Sequence, residues 1–311
     1  MTFDRARMLA DVRAGLLAYP RQIPSKYFYD EYGSQLFDEI TRLPEYYPTR
    51  AERALLAEAA NSIIAAALPA TLTELGAGSS DKTRLLLNEM LRVRTGDVTY
   101  IPVDVSADFL KASAQRLRSE YPTLCIIPVA ADFSTQFLLP AHPAPALHAF
   151  LGSTIGNFTP PQAIELLLGV RARMTVADYF LVGVDLRKDP ALIARAYNDS
   201  RGVTAAFNRN VLSVVNDALG ANFNLTAFEH NAVYDATSHR IEMRLISTVQ
   251  QRVSIPGIGN IGFSVGDAIL TELSYKYDRD QVTHLLASGG LALRDWFTDD
   301  EQMFALALAT T

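Results

Sequence analysis

A single cysteine, Cys125, stands in 311 residues, which excludes an internal disulfide and a cysteine-built zinc site. Histidine is scarce too. The five, at 142, 148, 230, 239 and 284, include no pair four apart, so no metal site is expected. Basic residues do not predominate: 28 Lys and Arg against 34 Asp and Glu leave a formal net charge of −6. Without a basic stripe to follow phosphates, a nucleic-acid partner is not expected. No window approaches the roughly 20 apolar residues that a spanning helix needs. The opening MTFDRARMLADVRAGLLAYP carries charge through its first turns, unlike a secretory leader. The expectation is a cytoplasmic protein with no membrane partner. Repeats and low-complexity tracts are lacking as well. What remains is 49% hydrophobic and 20% charged, an ordinary globular balance, long enough for one large core or two moderate ones.

Hydrophobic patterning organises the chain. Apolar positions at helical spacing fill 50–68, and then strand and helix patterns alternate: strand 71–75, helix 81–92, strand 98–103, helix 106–118 and strand 124–130. LHAFLGS reads as a fourth strand before a helix opening at Pro160-Pro161, and YFLVGVDL as a fifth, ending at Asp185. Such alternation predicts an α/β fold, a doubly wound and mostly parallel sheet. The pattern breaks at Lys188, where one long helical stretch is expected to about Asn216, followed by several strands over 228–275. A helix at 279–288 and the strands LALRDWFT and QMFALALAT then close the sheet as an antiparallel hairpin. The expected domains are therefore 50–187 with 277–311, and 1–49 with 188–276 as an inserted α+β domain.

The stretch TLTELGAGSSDKTR contains the densest chemical signal. Glu74 closes a strand, Gly76 and Gly78 make a turn, and Ser79, Ser80 or Asp81 can cap the next helix. Glycine lets backbone approach a nucleotide-like ligand closely. Asp104 follows the next strand, 28 positions after Gly76, placed to bond ribose hydroxyls. The turn reads Gly-Ala-Gly-Ser-Ser rather than a three-glycine fingerprint, and the acid comes later than the roughly 20-residue spacing of dinucleotide sites. Asp132 and Phe133 follow the third strand, where a carboxylate can accept from an exocyclic amine and a ring can pack on a purine. Together these favour an adenosyl pocket with no pyrophosphate to hold, hence S-adenosylmethionine over NAD.

Three further stretches look unsuited to pure packing. Residues 25–50 hold five tyrosines (27, 29, 32, 46 and 47) among acids and prolines, fitting either a pocket wall or a clamp on a neighbouring domain. FLGSTIGNFTP brings Gly152, Thr154 and Asn157 to the end of the fourth strand, the edge where open sheets bind ligands. In ILTELSYKY, alternation places Thr271, Leu273 and Tyr275 on one face and Glu272, Ser274 and Lys276 on the other. A carboxylate and a hydroxyl two apart lie roughly 7 Å from each other, suited to a planar group polar at both ends; a solvated strand face is the other reading.

In order and spacing, KYFYDEYGSQLFDEITRLPEYYPTR, ELGAGSSDKTR, FLGSTIGNFTP, GVTAAFNRN and LTELSYKY resemble the histidine Nα-methyltransferases of ergothioneine biosynthesis. The resemblance covers nearly the whole chain. It implies a two-domain enzyme, expected as a monomer, that uses S-adenosylmethionine and no metal to convert L-histidine to its trimethyl betaine, hercynine, in three transfers. It also implies roles. Gly76, Lys82, Asp104, Asp132, Phe133, Gly152 and Thr154 would hold the cofactor. Asn157 and Tyr197 would hold the histidine carboxylate and orient its amine, with Tyr29 and Tyr46 closing around that amine. Tyr29 and Asn157 would take the catalytic roles. Glu272 and Ser274 would grip the two imidazole nitrogens while Met243 packs on the ring. The rival readings are an α-N-methyltransferase for another aromatic amino acid such as tryptophan, a nicotinamide-dependent dehydrogenase, and an adenosyl-binding regulator without turnover. Indole offers one N–H, which Glu272 and Ser274 together do not match.

Overall fold

The computed structural model describes residues 4–132 and 138–311. In chain order its helices are α1 (Arg5–Leu17), α2 (Glu31–Ile40), α3 (Tyr47–Ala67), α4 (Thr83–Val93), α5 (Ala107–Glu120), α6 (Pro160–Arg171), α7 (Pro190–Ala196), α8 (Val203–Leu219) and α9 (Arg279–Ser288). Its strands are β1 (Thr71–Leu75), β2 (Val98–Asp104), β3 (Leu124–Ile126), β4 (Val129–Ala130), β5 (Ala146–Phe150), β6 (Tyr179–Asp185), β7 (Phe228–Asp235), β8 (Arg240–Ser247), β9 (Gln251–Ile255), β10 (Gly259–Phe263), β11 (Ala268–Tyr275), β12 (Ala292–Thr298) and β13 (Phe304–Thr310). Two compact units emerge, Met1–Tyr47 with Asp189–Tyr275 and Pro48–Lys188 with Lys276–Thr311.

The second of these is the doubly wound α/β unit. Its sheet runs β12-β13-β6-β5-β1-β2-β3, with β4 also on β2. The strands from β6 to β3 and β4 pair in parallel, while β13 and β12 run antiparallel. β1 and β13 are buried almost end to end, as strands covered on both faces must be. One apolar layer joins Leu55, Leu56, Ile63 and Ile64 of α3 to Leu72, Leu147 and Leu181; the other joins Leu167 and Leu286 to Phe180 and Val182. Strand order reverses between β1 and β5, so the loops after these two strands diverge and leave a crevice at their carboxyl ends.

The first unit is α+β. β7, β8 and β11 form an antiparallel sheet, β9 and β10 a hairpin, and α8 packs on β7 and β8. The N-terminal segment adds to β11: Ile23 N–H donates to the Leu270 carbonyl at 3.0 Å, and Leu270 N–H to that of Arg21 at 2.8 Å.

Three local expectations differ. The strand over 124–130 divides into β3 and β4 at Ile127-Pro128, since proline has no N–H to give a ladder. The helical stretch from Lys188 is two helices, broken where Gly202 takes φ +72°, with Asp199 accepting from the free N–H groups of Val203 and Thr204. The helix after the glycine turn starts at Thr83, with Lys82 at its N-cap; none of Ser79, Ser80 and Asp81 occupies that position.

Candidate active site

The crevice of the α/β unit is built from backbone turned inside out. Gly76 and Gly78 take φ +69° and +50°, and a Cβ on Gly78 would meet nothing within 4 Å, so the turn faces open space. Asp104, half-buried at the end of β2, fixes this turn by accepting from Gly78 N–H and Ser106 N–H, each at 3.0 Å. Burial pushes its carboxyl up in pKa, against the downward pull of those two donors. A carboxylate has about four lone-pair sites, so capacity remains for ligand hydroxyls. β4 pairs Ala130 with Asp104, which brings Asp132 to the same sheet edge. Phe133 lies outside the described residues.

Across the crevice, the loop after β5 brings Gly152 and Thr154 together with Lys82. A Cβ on Gly152 would stand 3.3 Å from Thr154 Oγ1 and 3.4 Å from Lys82 Nζ. The short 3-10 turn Thr154–Asn157 sets Asn157, half-buried, at its end, and Ser153 Oγ accepts from Asp185 N–H at 2.9 Å.

Beneath this floor is a carboxylate that the sequence reading missed. Glu52 of α3 is fully buried, accepts from Gly152 N–H at 2.7 Å through Oε1, and bonds Lys82 Nζ through Oε2. One signal was available. Glu52 precedes Leu55 and Leu56 by three and four residues and so lies on the buried stripe of α3, where an unpaired charge would be costly.

A second buried network supports the turn from below. Glu74 accepts from Thr83 Oγ1 at 2.7 Å and from the Tyr100 hydroxyl, which also meets Ser80 Oγ at 2.9 Å. Burial pushes the Glu74 carboxyl up to about 7, although Thr83, Tyr100 and the charge of Lys82 pull downward. Ser80 itself holds φ +57°, a conformation that this network helps to fix.

The remaining expected residues, Tyr29, Tyr46, Tyr197, Met243, Glu272 and Ser274, belong to the α+β unit. Rings join several of them. Tyr29 meets Phe37 edge-on at 5.7 Å between centroids, Phe37 meets Tyr46 at 6.3 Å, and Tyr46 meets Tyr197 at 6.2 Å. The Tyr197 hydroxyl then lies 2.8 Å from Ser274 Oγ. Asn210 of α8 donates to the Phe28 carbonyl and, at 2.8 Å, to the Asp30 carboxylate, the two neighbours of Tyr29. Of the five tyrosines of the segment, Tyr27 is buried and bonds Asp11 at 2.7 Å, whereas Tyr32 is exposed.

On β11 the strict alternation fails at one place. The register on β8 passes from Leu270 opposite Arg244 to Glu272 opposite Met243, leaving Thr271 as an extra residue. This bulge changes the phase, so Thr271 is buried rather than sharing the face of Leu273 and Tyr275. Glu272 opposite Met243 and Ser274 opposite Ile241 therefore lie on the face that β8 buries. Arg244 and Tyr275 take the other face, where Arg240 donates to the Tyr275 hydroxyl at 2.6 Å. Lys276 does not continue the strand; it belongs to the α/β unit and pairs with Asp185 at 2.8 Å.

Among the described residues no cluster of three or more His, Cys, Asp or Glu could hold a metal ion, and no helix is long and apolar enough to cross a membrane.

Comparison with known proteins matches residues 8–311 to a family described as histidine-specific, S-adenosylmethionine-dependent methyltransferases. The chain is similar to the histidine N-alpha-methyltransferase of Mycolicibacterium smegmatis, 45% identical over 96% of this chain and 93% of that one. Similarity to the histidine N-alpha-methyltransferase of Mycobacterium tuberculosis is 43% over the same shares. It is 31% identical to ergothioneine biosynthesis protein 1 of Schizosaccharomyces pombe, over 88% of this chain and 36% of that longer protein.

Proposed function

The chain belongs to the histidine-specific, S-adenosylmethionine-dependent methyltransferases, and on that premise we propose that it methylates the α-amino group of L-histidine three times, yielding hercynine for ergothioneine synthesis. The observation that carries the substrate reading is the placing of Glu272, half-buried, and Ser274, buried, on one strand face, with the Tyr197 hydroxyl on Ser274. A neutral imidazole has one N–H donor and one acceptor nitrogen. Glu272 accepts from the first. Ser274, taking a proton bond from Tyr197, gives its own hydroxyl hydrogen to the second. Phenylalanine or tryptophan would leave one or both groups unmet, a far larger penalty than a poor fit. Met243, directly opposite Glu272, offers a soft apolar surface to the ring.

The crevice residues fit the methyl donor, which supplies a methyl group already activated on a sulfonium. Gly76 and Gly152 give bare backbone, Asp104 accepts from ribose hydroxyls, and Asp132 from an exocyclic amine. Lys82 offers a cation to a carboxylate, and Thr154 a hydroxyl beside it. Asn157 is assigned to the histidine carboxylate, and Tyr29 and Tyr46 to the amine; Tyr197, also expected at the carboxylate, gives its one hydroxyl hydrogen to Ser274 instead. That amine must be neutral to attack, yet an α-amino group has a pKa near 8 in peptides and higher in a free amino acid, so a proton leaves before each transfer. Of the two residues assigned catalytic roles, Asn157 is the candidate for orienting the lone pair, and Tyr29 the candidate for ordering a water that takes the departing proton to solvent. Holding the amine in line with the methyl contributes several kcal/mol of the acceleration.

Glu272→Ala tests the substrate reading. It should raise the KM for L-histidine by roughly tenfold to a hundredfold, the scale of a lost charge-assisted hydrogen bond, while cofactor affinity stays put. Unchanged histidine kinetics would overturn the assignment.

A further inference from the structure

One residue of the motif GVTAAFNRN lies at the centre of a buried network in the α+β unit. Asn208 of α8 is fully buried and uses every polar atom of its side chain. Its amide nitrogen donates to His230 Nδ1 at 2.8 Å and to the Arg244 carbonyl at 3.0 Å. Its amide oxygen accepts from Thr271 Oγ1 at 2.6 Å. Thr271 Oγ1 also lies 3.0 Å from the Met243 carbonyl. Those two carbonyls are on β8, opposite the point where β11 carries its extra residue. Asn208 thus serves the Arg244 carbonyl directly and holds Thr271, the extra residue, beside a second backbone acceptor where the ladder is interrupted.

The amide orientation also decides the state of His230. A carbonyl can only accept, so the NH2 end of Asn208 faces Arg244 and His230, and Nδ1 must be the unprotonated nitrogen. His230 Nε2 then bears the hydrogen and donates it to the Tyr197 carbonyl at 2.9 Å. Burial pushes the pKa of this histidine down, outweighing the Tyr197 bond, which favours the neutral ring that such a chain needs. One asparagine therefore reaches the backbone of Tyr197 through His230 and the residue before Glu272 through Thr271.

We propose that Asn208, with Thr271 and His230, is a positioning device for histidine recognition: it locks the β11 bulge that turns Glu272 and Ser274 to the buried face, and it holds Tyr197 against Ser274. Side chains alternate with period two, so loss of the extra residue from the register would send Glu272 and Ser274 to the opposite face. This rests on the reading that Glu272 and Ser274 hold the imidazole.

The test compares Thr271→Val, which keeps the shape and removes the hydroxyl, with Thr271→Ser, which keeps the hydroxyl. Thr271→Val should raise the KM for L-histidine by about tenfold, the scale of one buried hydrogen bond lost, and lower its preference over L-phenylalanine, with S-adenosylmethionine affinity unchanged. Thr271→Ser should restore both. If Glu272→Ala is impaired while Thr271→Val behaves as wild type, the register lock is wrong and the substrate reading stands. If Glu272→Ala is itself silent, the substrate reading fails. A second measurement needs no variant: nitrogen-15 NMR of the histidine rings in the intact protein should show His230 as the neutral Nε2–H tautomer. The Nδ1–H tautomer would contradict the Asn208 arrangement.

Discussion

Gly183, in the middle of β6, has a side that only glycine can leave open, and the reason is Glu52. A Cβ there would stand 2.3 Å from Glu52 Oε1 and 3.1 Å from a Phe304 ring carbon, where ordinary contact begins at 3.4 Å. Gly183→Ala therefore demands a displacement of about 1 Å, which falls on the carboxylate because the strand is held on both sides. Moving Glu52 by that amount stretches its 2.7 Å bond from Gly152 N–H beyond hydrogen-bond range and loosens Lys82. Overpacking of about 1–3 kcal/mol adds to a charge-assisted bond of similar size, so the substitution should cost about 3–5 kcal/mol. Glu52→Ala alone leaves Lys82 and the Gly152 N–H unmatched and should also cost about 3–5 kcal/mol. In the Glu52→Ala background, however, Gly183→Ala meets only Phe304 and should cost about 1 kcal/mol. Urea unfolding of the four proteins reads this coupling as a double-mutant cycle. Losses that add to within about 0.5 kcal/mol would show that Gly183 and Glu52 are not coupled.

Two further outcomes follow from the buried groups. Folding raises the Glu74 pKa from 4.5 to about 7, so the folded protein keeps a proton that the unfolded chain releases. The stability contributed by that proton is complete below pH 4.5 and is lost as pH rises through 7. Glu74→Gln stays neutral, so it should match wild type near pH 4.5 and exceed it above pH 7 by on the order of 3 kcal/mol. Parallel urea-midpoint profiles for the two proteins would contradict this. Tyr197→Phe removes the hydroxyl that lies on Ser274 and should raise the KM for histidine by about tenfold. Isothermal titration should show cofactor binding unchanged, and a defect confined to the cofactor would place Tyr197 elsewhere.

Local patterns made the α/β unit readable. Alternation of apolar strands with amphipathic helices is a nearest-neighbour property, and so are the glycines at 76 and 78 and the acid at 104. Glu272 and Ser274 fell on one face because a spacing of two survives a bulge placed before both. Thr271 was misplaced because an extra residue leaves no mark in the period of β11, and its bond partner, Asn208, stands 63 positions away. Glu52 was invisible to motif reading because its partners, Lys82, Gly152 and the hollow at Gly183, come from three distant segments. Its place on the buried stripe of α3 was the one available hint. The break between α7 and α8 was written in Asn198, Asp199, Ser200 and Gly202, polar and turn-forming residues that the helical periodicity around them obscured.

Trimethylation of histidine is tested most directly by a mass-spectrometric assay of the purified protein with S-adenosylmethionine, offering L-histidine, L-tryptophan, L-tyrosine and L-phenylalanine in parallel. The expected product is three methylene units heavier than histidine, with the added mass on the α-nitrogen and the imidazole unmodified. Methylation of the ring, or of another amino acid in preference to histidine, would contradict it.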